Sequence, residues 1–195
     1  MRRDLVTSVL AIVAITIVFG LAYPLVVTGI SQVAFPGRAN GSLIHRDGKV
    51  VGSRLVAQPV KGDRYFFPRP STATDYDAAA TAFTNLGPNS KAARDAFKKS
   101  LSAYLKRERR YDPGLTAARV PVDAVTSSAS GIDPQISPAN AAIQAHRVAA
   151  VRHLPLAQVR KLIADHIDGR SLGVLGEPGV NVLELNLALD HLPSR

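Results

Sequence analysis

The sequence predicts an α+β protein, in which a single N-terminal transmembrane helix precedes one soluble domain of mixed α and β structure. Three observations lead to this prediction. No charged side chain occurs between Leu5 and Gly37, several later segments have the apolar spacing of amphipathic helices, and others alternate apolar residues as strands do. We expect a short tail at 1–4, an anchor helix at 5–33 and a soluble domain at 34–195.

Composition limits what the soluble domain can be. The chain is 46% apolar and 20% charged, which fits neither a disordered polymer nor a wholly membrane-embedded protein. It has no cysteine, which excludes disulfide scaffolds, thiolate nucleophiles and cysteine-ligated metals. Without disulfides or cysteine-bound metals, packing must stabilise the fold. A net charge of +9 favours anionic neighbours such as lipid headgroups, nucleotides or acidic protein faces, without choosing between them.

The apolar segment 5–30 is long enough to cross a bilayer. In hydrocarbon every backbone amide must be paired within the segment, which predicts a helix. A helix of 26 residues reaches about 39 Å, against a hydrocarbon thickness of about 30 Å. Cleaved signal peptides have apolar cores of about 7–15 residues, so we expect an uncleaved anchor that tilts or kinks at Pro24. Gly20 and Gly29 allow a second helix to approach closely, and with Pro24 they are the predicted helix-packing residues.

Charge does not decide the orientation of this helix. Arg2 and Arg3 favour a cytoplasmic N-terminus, whereas Arg38, Arg46 and Lys49 follow the helix on its other side. Later apolar stretches are too short to span the bilayer, so we expect a single crossing.

A hairpin and an irregular region are predicted next. Two short strands, 42–46 and 49–56, flank Asp47 and Gly48, a pair that type I′ turns favour because both turn residues need positive φ. The segment 65–89 combines aromatics with Pro and Gly and has no sustained period, which indicates an ordered loop region rather than a flexible linker.

Three helices and a strand complete the predicted domain. Helical spacing covers 90–110, then 139–153 behind Ser137 as N-cap with Pro at the first helical position, then 156–167. In the final segment, 182–190, Leu occupies every second position, which predicts a strand with one buried face.

Local signatures of enzymes and metal sites are missing from the sequence. It contains no phosphate-binding loop, no nucleophile elbow and no H-E-x-x-H motif. His146 and His153 lie two helical turns apart, about 10 Å, which is too far to share one zinc ion. The hydroxyl-rich segment 126–131 fits either an anion site or a simple turn before a helix. We expect no catalytic site, no metal site and no cofactor of its own.

The basic face of the helix predicted at 90–110 has two readings. It fits a phosphate or lipid footprint, but a solvated helix face is the commoner meaning of such a charge run. The interleaved aromatics that single-stranded nucleic-acid sites need are missing, so no nucleic-acid partner is expected.

Seven pieces of the sequence, in one order, carry a family resemblance. They are Tyr23-Pro24-Leu25 with Thr28-Gly29, Phe35-Pro36 with Ala39 to Leu43, Tyr65-Phe66 with Arg69-Pro70-Ser71, Asn85 to Pro88, Val125-Thr126 with Ser128 to Ala139, Arg147-Val148-Ala149, and Leu175 to Pro178 with Val180 to Leu189. Over nearly its whole length the chain closely resembles the C subunits of the Kdp potassium-transporting P-type ATPase.

The resemblance implies a non-catalytic accessory subunit of an ATP-driven, high-affinity potassium import complex in the cell (inner) membrane. Its implied partners are a channel-like potassium-translocating subunit, a P-type ATPase subunit, a small membrane subunit of the same complex and the lipid bilayer. The role implied is to stabilise assembly of the first two, with ATP reaching the chain only through the complex. The family is usually drawn with the N-terminus in the cytoplasm and the soluble domain on the extracytoplasmic side.

Two alternatives stay open. The family has also been described as a catalytic chaperone that raises the ATP affinity of the ATPase subunit, and Gln144 is the matching candidate for its transient nucleotide contact. A membrane-tethered enzyme would instead need a cleft with convergent titratable groups. We rank assembly first, because ATP is scarce outside the cytoplasm. We also expect the soluble domain to cap the outer face of the channel-like subunit. Since basic side chains near a cation entrance would repel potassium, the face of the domain that docks there should be poor in Lys and Arg.

Overall fold

The structure, a computed structural model, describes residues 1–79 and 85–192. The chain divides into two units, Met1–Val51 and Gly52–Arg195, and each is described by itself. The first is dominated by a long apolar helix, and the second contains helices with a small antiparallel sheet. The predicted α+β class is confirmed.

The first unit begins with one helix of 33 residues, Arg2–Ala34, which is long and apolar enough to cross a membrane. It consists of α1 (Arg2–Ile15), a π-helical stretch (Thr16–Ala22) and α2 (Tyr23–Ala34). The π-helical stretch ends just before Pro24, whose ring crowds the carbonyl of the residue four positions earlier. The wider π turn relieves this crowding, so the predicted disturbance at Pro24 takes the form of a π-bulge.

A short helix and the hairpin follow, and the boundary after Val51 falls within the second strand of the hairpin. After α3 (Pro36–Ala39), β1 (Leu43–Arg46) pairs with β2 (Lys49–Ser53). The turn residues Asp47 and Gly48 have φ angles of 51° and 74°, as a type I′ turn requires. The predicted hairpin is therefore confirmed, although its second strand is shorter than expected.

After the end of β2, the described residues of the second unit form four helices and three short strands. The helices are α4 (Lys91–Glu108), α5 (Pro138–Arg152), α6 (Leu156–Ala164) and α7 (Val182–Asp190). The strands β3 (Gln135–Ile136), β4 (Ile167–Asp168) and β5 (Gly179–Asn181) form an antiparallel sheet in the order β3-β5-β4. Single 3₁₀ turns occur at Thr74–Tyr76, Ala117–Arg119 and Val122–Ala124.

Three helices form where the sequence predicts them, because their start signals are local. The Ser90 hydroxyl caps α4 by accepting the Ala93 N–H at 3.1 Å, and the Ser137 hydroxyl caps α5 by accepting the Asn140 N–H at 3.1 Å. The third helix, α6, ends at Ala164, and of the remaining residues predicted for it Asp165 and His166 form a turn and Ile167 begins β4.

The strand predicted at 182–190 is wrong, because these residues form α7. The Asn181 side chain caps this helix by accepting the backbone N–H three residues on, at 3.2 Å. Leu185 and Leu189 are fully buried, whereas Leu187 between them is only half-buried, so burial follows a helical period. Leucine at every second position also places leucines four apart, and Leu, Glu and Ala are strong helix formers.

The core of the second unit has two clusters of buried apolar residues. The larger one joins α5, α6, α7 and the sheet around Phe66, Ile136, Val148, Val159, Ile163, Val180, Leu185 and Leu189. The smaller one joins α4 and α5 around Tyr104, Leu115, Val125 and Ile143. The structure describes the predicted loop region at 65–79 and 85–89, with Phe66 fully buried, and residues 80–84 of that region lie outside the described residues.

Candidate functional site

The segment Asp63–Phe67 has no regular secondary structure, yet side chains from two helices hold each of its carbonyl groups. We call this segment the clamped segment. The donors are Arg147 to Asp63 and Tyr65 (2.7 Å), Arg152 to Arg64 (2.9 Å), Asn186 to Phe66 (2.9 Å) and Gln144 to Phe67 (3.1 Å). Three of these side chains project from α5 and one from α7. Helix side chains therefore take the place of a neighbouring strand.

Two amide side chains also pair with backbone N–H groups of the clamped segment. Asn186 also accepts the Phe66 N–H at 2.8 Å, and Gln144 accepts the Phe67 N–H at 2.8 Å. Each amide thus donates and accepts to the same residue, as a paired strand residue does.

Gln144, the predicted nucleotide contact, is fully occupied by these and two further bonds. Its carbonyl oxygen also accepts from Arg147 at 2.8 Å, and its amide nitrogen also donates to Asn140 at 3.0 Å. Four hydrogen bonds use the whole capacity of a glutamine amide. The side chain is 1% exposed, so a nucleotide that contacts it must displace one of these bonds.

A buried ion pair lies beneath the clamped segment. The Arg147 Nε contacts both carboxylate oxygens of Glu108, at 3.1 and 3.2 Å, and neither side chain is accessible. Burial lowers the pKa of the Arg147 guanidinium, and the Glu108 carboxylate opposes that effect. The guanidiniums of Arg147 and Arg107 also lie 4.6 and 4.5 Å from the Phe67 ring centre, on which they act as cation–π partners.

A cavity of about 280 Å³ opens beside Gln144. Its described lining consists of Phe67, Pro68, Pro70, Tyr76, Ser100, Ala103, Tyr104, Arg107, Ala124, Asn140 and Gln144. Burial raises the pKa of the Tyr104 phenol and of the Tyr76 phenol, so both rings stay neutral at physiological pH. Arg107 is the charged side chain among these lining residues, which suits an anionic or stacked guest rather than acid–base chemistry.

The two histidines do not form a site. His146 contacts Arg160 at 3.3 Å, and His153 is exposed at the left-handed end of α5 with a φ of 57°. Within 1–79 and 85–192, no group of three His, Cys, Asp or Glu residues is arranged to hold a metal ion.

Hydroxyl groups of the segment 126–131 bond within the segment and to the adjacent backbone, where Thr126 donates to the Val122 carbonyl at 2.7 Å. Ser128 and Ser130 share a hydrogen bond of 3.0 Å, and the Ser128 hydroxyl accepts the Gly131 N–H at 2.9 Å. This arrangement fits the turn reading of the segment.

The predicted helix-packing residues lie on an unburied helix. Apart from the adjoining residues and the helix's own backbone, no atom lies within 4 Å of the place where a Cβ would stand on Gly29, and for Gly20 the nearest other atom is a Thr16 methyl carbon at 3.6 Å. Pro24 begins α2 after the π-helical stretch. All three positions are open to an approaching helix.

Sequence reasoning missed most of the residues that hold the clamped segment. Arg147 and Arg152 lie on the buried face of α5, and Asn186 lies on the buried face of α7. Charged or amide residues on an otherwise apolar helix face were the available signal, since such groups are buried only when they have partners.

Comparisons with known proteins place the chain in a family. Residues 5–191 match the family model KdpC, described as the c chain of the K+-transporting ATPase. A relative from Mycobacterium bovis (strain BCG / Pasteur 1173P2) is 49% identical over 193 residues, covering 98% of this chain and all of the relative. One from Koribacter versatilis (strain Ellin345) is 47% identical over 191 residues, covering 97% of this chain and 95% of the relative.

A third relative, from Bradyrhizobium diazoefficiens, is 45% identical over 208 residues that cover both chains completely. Each of the three is named a potassium-transporting ATPase KdpC subunit. The family match spans the apolar helix, the clamped segment and α7. The chain therefore belongs to the KdpC family, the membrane-associated accessory subunits of K+-transporting ATPases.

Proposed function

We propose that this chain is a non-catalytic subunit that stabilises assembly of the channel-like and P-type ATPase subunits of a potassium import complex. The observation that carries the proposal is the helix Arg2–Ala34, whose apolar window is entirely unburied within the chain. Such a surface is stable only in lipid or against other membrane helices. Gly20 and Gly29 allow close helix contact, which is how membrane helices associate.

The second unit supports a structural rather than a chemical role. Its largest buried polar side chains, Arg147, Gln144 and Glu108, are bonded to one another or to the chain's own backbone. The described lining of the cavity beside Gln144 offers neither a carboxylate nor an imidazole. A membrane-tethered enzyme therefore gains no support from this cavity.

The proposal places the N-terminus in the cytoplasm and the soluble domain outside it. Protease treatment of intact spheroplasts tests this placement, because exposed lysines such as Lys98 and Lys99 on α4 are accessible to trypsin. We expect the domain to be digested. A domain that survives until the cells are lysed would place it in the cytoplasm.

Co-purification in mild detergent tests the assembly role. We expect a tagged full-length chain to recover a P-type ATPase and a channel-like protein, and a chain lacking residues 1–34 to lose both. If the shortened chain recovers them equally well, the anchor helix is not what joins the chain to the complex.

A nucleotide contact is the second candidate, because Gln144 lines the cavity with Arg107 and two phenol rings. Small-molecule sites start at about 300 Å³, so the cavity is near the lower limit. Replacing the lining Ser100 by leucine fills the cavity without touching the bonds of Gln144. If nucleotide binds there, Ser100→Leu raises the KM for ATP of the assembled complex, whereas Ser102→Leu on the exposed side of α4 does not. Equal KM values would leave assembly as the role.

A further inference from the structure

A tight turn between β4 and β5 carries apolar residues into solvent. Ser171 and Leu175 form an isolated antiparallel bridge, in which each backbone N–H donates to the other's carbonyl at 2.9 Å. The Gly173 N–H also donates to the Arg170 carbonyl at 3.0 Å. The turn is therefore held in one conformation by its own backbone.

Three large apolar side chains of this turn are exposed. Leu172 is 90% exposed, Val174 is 72% exposed and Leu175 is 59% exposed, and we call these three residues the apolar tip. Leu172 also has a φ of 53°, in the left-handed region that a leucine rarely adopts. Strain of this kind clusters at functional positions, and a cluster of ordered, exposed apolar side chains marks a binding surface.

We propose that the apolar tip inserts into an apolar pocket on the water-facing surface of another subunit of the same complex and so docks the soluble domain there. This inference rests on the proposed assembly function and names one of its contact surfaces. Because the backbone of the turn is already held by its own hydrogen bonds, binding orders no further backbone there, which suits an anchor that fills a pocket.

The charges around the apolar tip favour a protein pocket over a lipid surface. The residues from Asp168 to Glu177 contain two carboxylates, one arginine and no lysine. That arginine, Arg170, forms two bonds of 2.9 and 2.8 Å with Glu177, whose side chain is 80% exposed. Asp168 is also ion-paired, because it lies 3.5 Å from Arg54, so the charges around the tip are balanced. Segments that bind anionic membranes carry an excess of Lys and Arg, and this balance supplies no such attraction.

The size of the apolar tip indicates that it acts together with the anchor helix. Three side chains cover far less than the roughly 800 Å² per partner of a stable interface between soluble proteins. A domain already tethered to the complex experiences an effective partner concentration in the millimolar range, at which a small contact suffices.

The test compares two charged variants in the full-length chain, expressed with its complex. The double variant Leu172→Asp/Val174→Asp alters the tip, and Val122→Asp alters a side chain of similar exposure, 68%, elsewhere in the domain. Because these side chains are exposed, both variants keep the wild-type Tm. We expect the tip variant to recover the partner subunits about tenfold less well than either the wild type or Val122→Asp.

A photocross-linking amino acid in place of Leu172 identifies what the tip touches. We expect cross-links to a membrane subunit of the complex, and none from the same group in place of Val122. The docking role of the apolar tip is overturned if cross-links form only to lipid or to a second copy of the chain. It is also overturned if the tip variant recovers the partner subunits as well as the wild type does. Either result leaves the assembly role intact. A wild-type chain that recovers no partner overturns both.

Discussion

In the second unit, individual side chains make the hydrogen bonds to the clamped segment that a neighbouring strand would otherwise make. The clamped segment runs beside helices, which offer it no backbone partners, so its polar groups depend on individual side chains. Gln144 and Asn186 each bond both backbone groups of one residue, and Arg147 spans two carbonyls. Because each hydrogen bond depends on the length of one side chain, even conservative substitutions of these residues should lower the free energy of unfolding.

Gln144→Ala should lower the free energy of unfolding by about 2–4 kcal/mol, because it leaves the Phe67 N–H and carbonyl unpaired and removes a partner of Arg147. Urea denaturation of the full chain in detergent measures the change. Gln158→Ala on α6, whose side chain is half-buried, is the matched control and should cost less than about 0.5 kcal/mol. Equal losses for the two variants would show that the bonds of Gln144 carry no stability.

Stability should fall at alkaline pH because of Tyr104. Burial raises the pKa of its phenol, so above the ordinary value of about 10 the unfolded chain loses this proton while the folded chain keeps it. The unfolded state then binds fewer protons, and the free energy of unfolding decreases as pH rises. Below about pH 9 the residue adds no pH dependence.

The variant Tyr104→Phe isolates this effect. It also loses a hydrogen bond of 2.8 Å to Asn140, which costs about 1 kcal/mol at every pH. The slope of Tm against pH between 8 and 11 is therefore the informative readout. We expect a shallower decline above pH 10 in Tyr104→Phe, and parallel curves would contradict the assignment.

Most of this residue-level site was beyond sequence reasoning for a physical reason. The partners of Gln144 and Arg147 in the clamped segment lie 77 to 84 residues away in the chain. No local period or motif records such a pairing. Gln144 entered the sequence analysis only through the family resemblance, and its nucleotide contact stays a prediction.

At the scale of elements, the sequence correctly predicted the features that a few neighbouring residues determine. The Asp47-Gly48 turn fixed the hairpin, and serine caps fixed the starts of α4 and α5. The strand prediction for the residues of α7 was wrong, because their leucine pattern satisfies both the period of 2 of a strand and the spacing of four of a helix. Its cap at Asn181, followed by strong helix formers, was the signal that should have decided.

Leucine truncations distinguish the helix from the strand that the sequence suggested. Leu185 is fully buried in α7, whereas Leu187 is half-buried. We expect Leu185→Ala to cost about 2–5 kcal/mol and Leu187→Ala about 1 kcal/mol, measured by urea denaturation. In a strand these two leucines would share one face, so equal losses would contradict the helix.

At the scale of the whole molecule, the long apolar helix supplies attachment. The family match extends through this helix, so it belongs to the KdpC architecture. The length and apolarity of this helix were readable from the sequence, because a bilayer imposes a simple constraint on both. The apolar tip was not readable, since only the folded turn brings its three side chains into solvent together.

Gly29→Leu tests whether the helix packs on a partner. With no other atom within 4 Å of its Cβ position, the chain itself accommodates the larger side chain. We expect membrane insertion to be unchanged and recovery of the partner subunits in mild detergent to fall several-fold, because close helix approach is lost. Ala14→Leu, also on the unburied helix, is the control, and it should reduce recovery less. Equal recovery by both variants would remove Gly29 from the interface.

Deletion of this chain is the most direct test of the assembly role. The channel-like and P-type ATPase subunits are produced without it, and their size in mild detergent is measured before and after the purified full-length chain is added back. We predict that the two subunits separate without the chain, and that adding it restores one complex. Subunits that stay together in its absence would contradict the central claim.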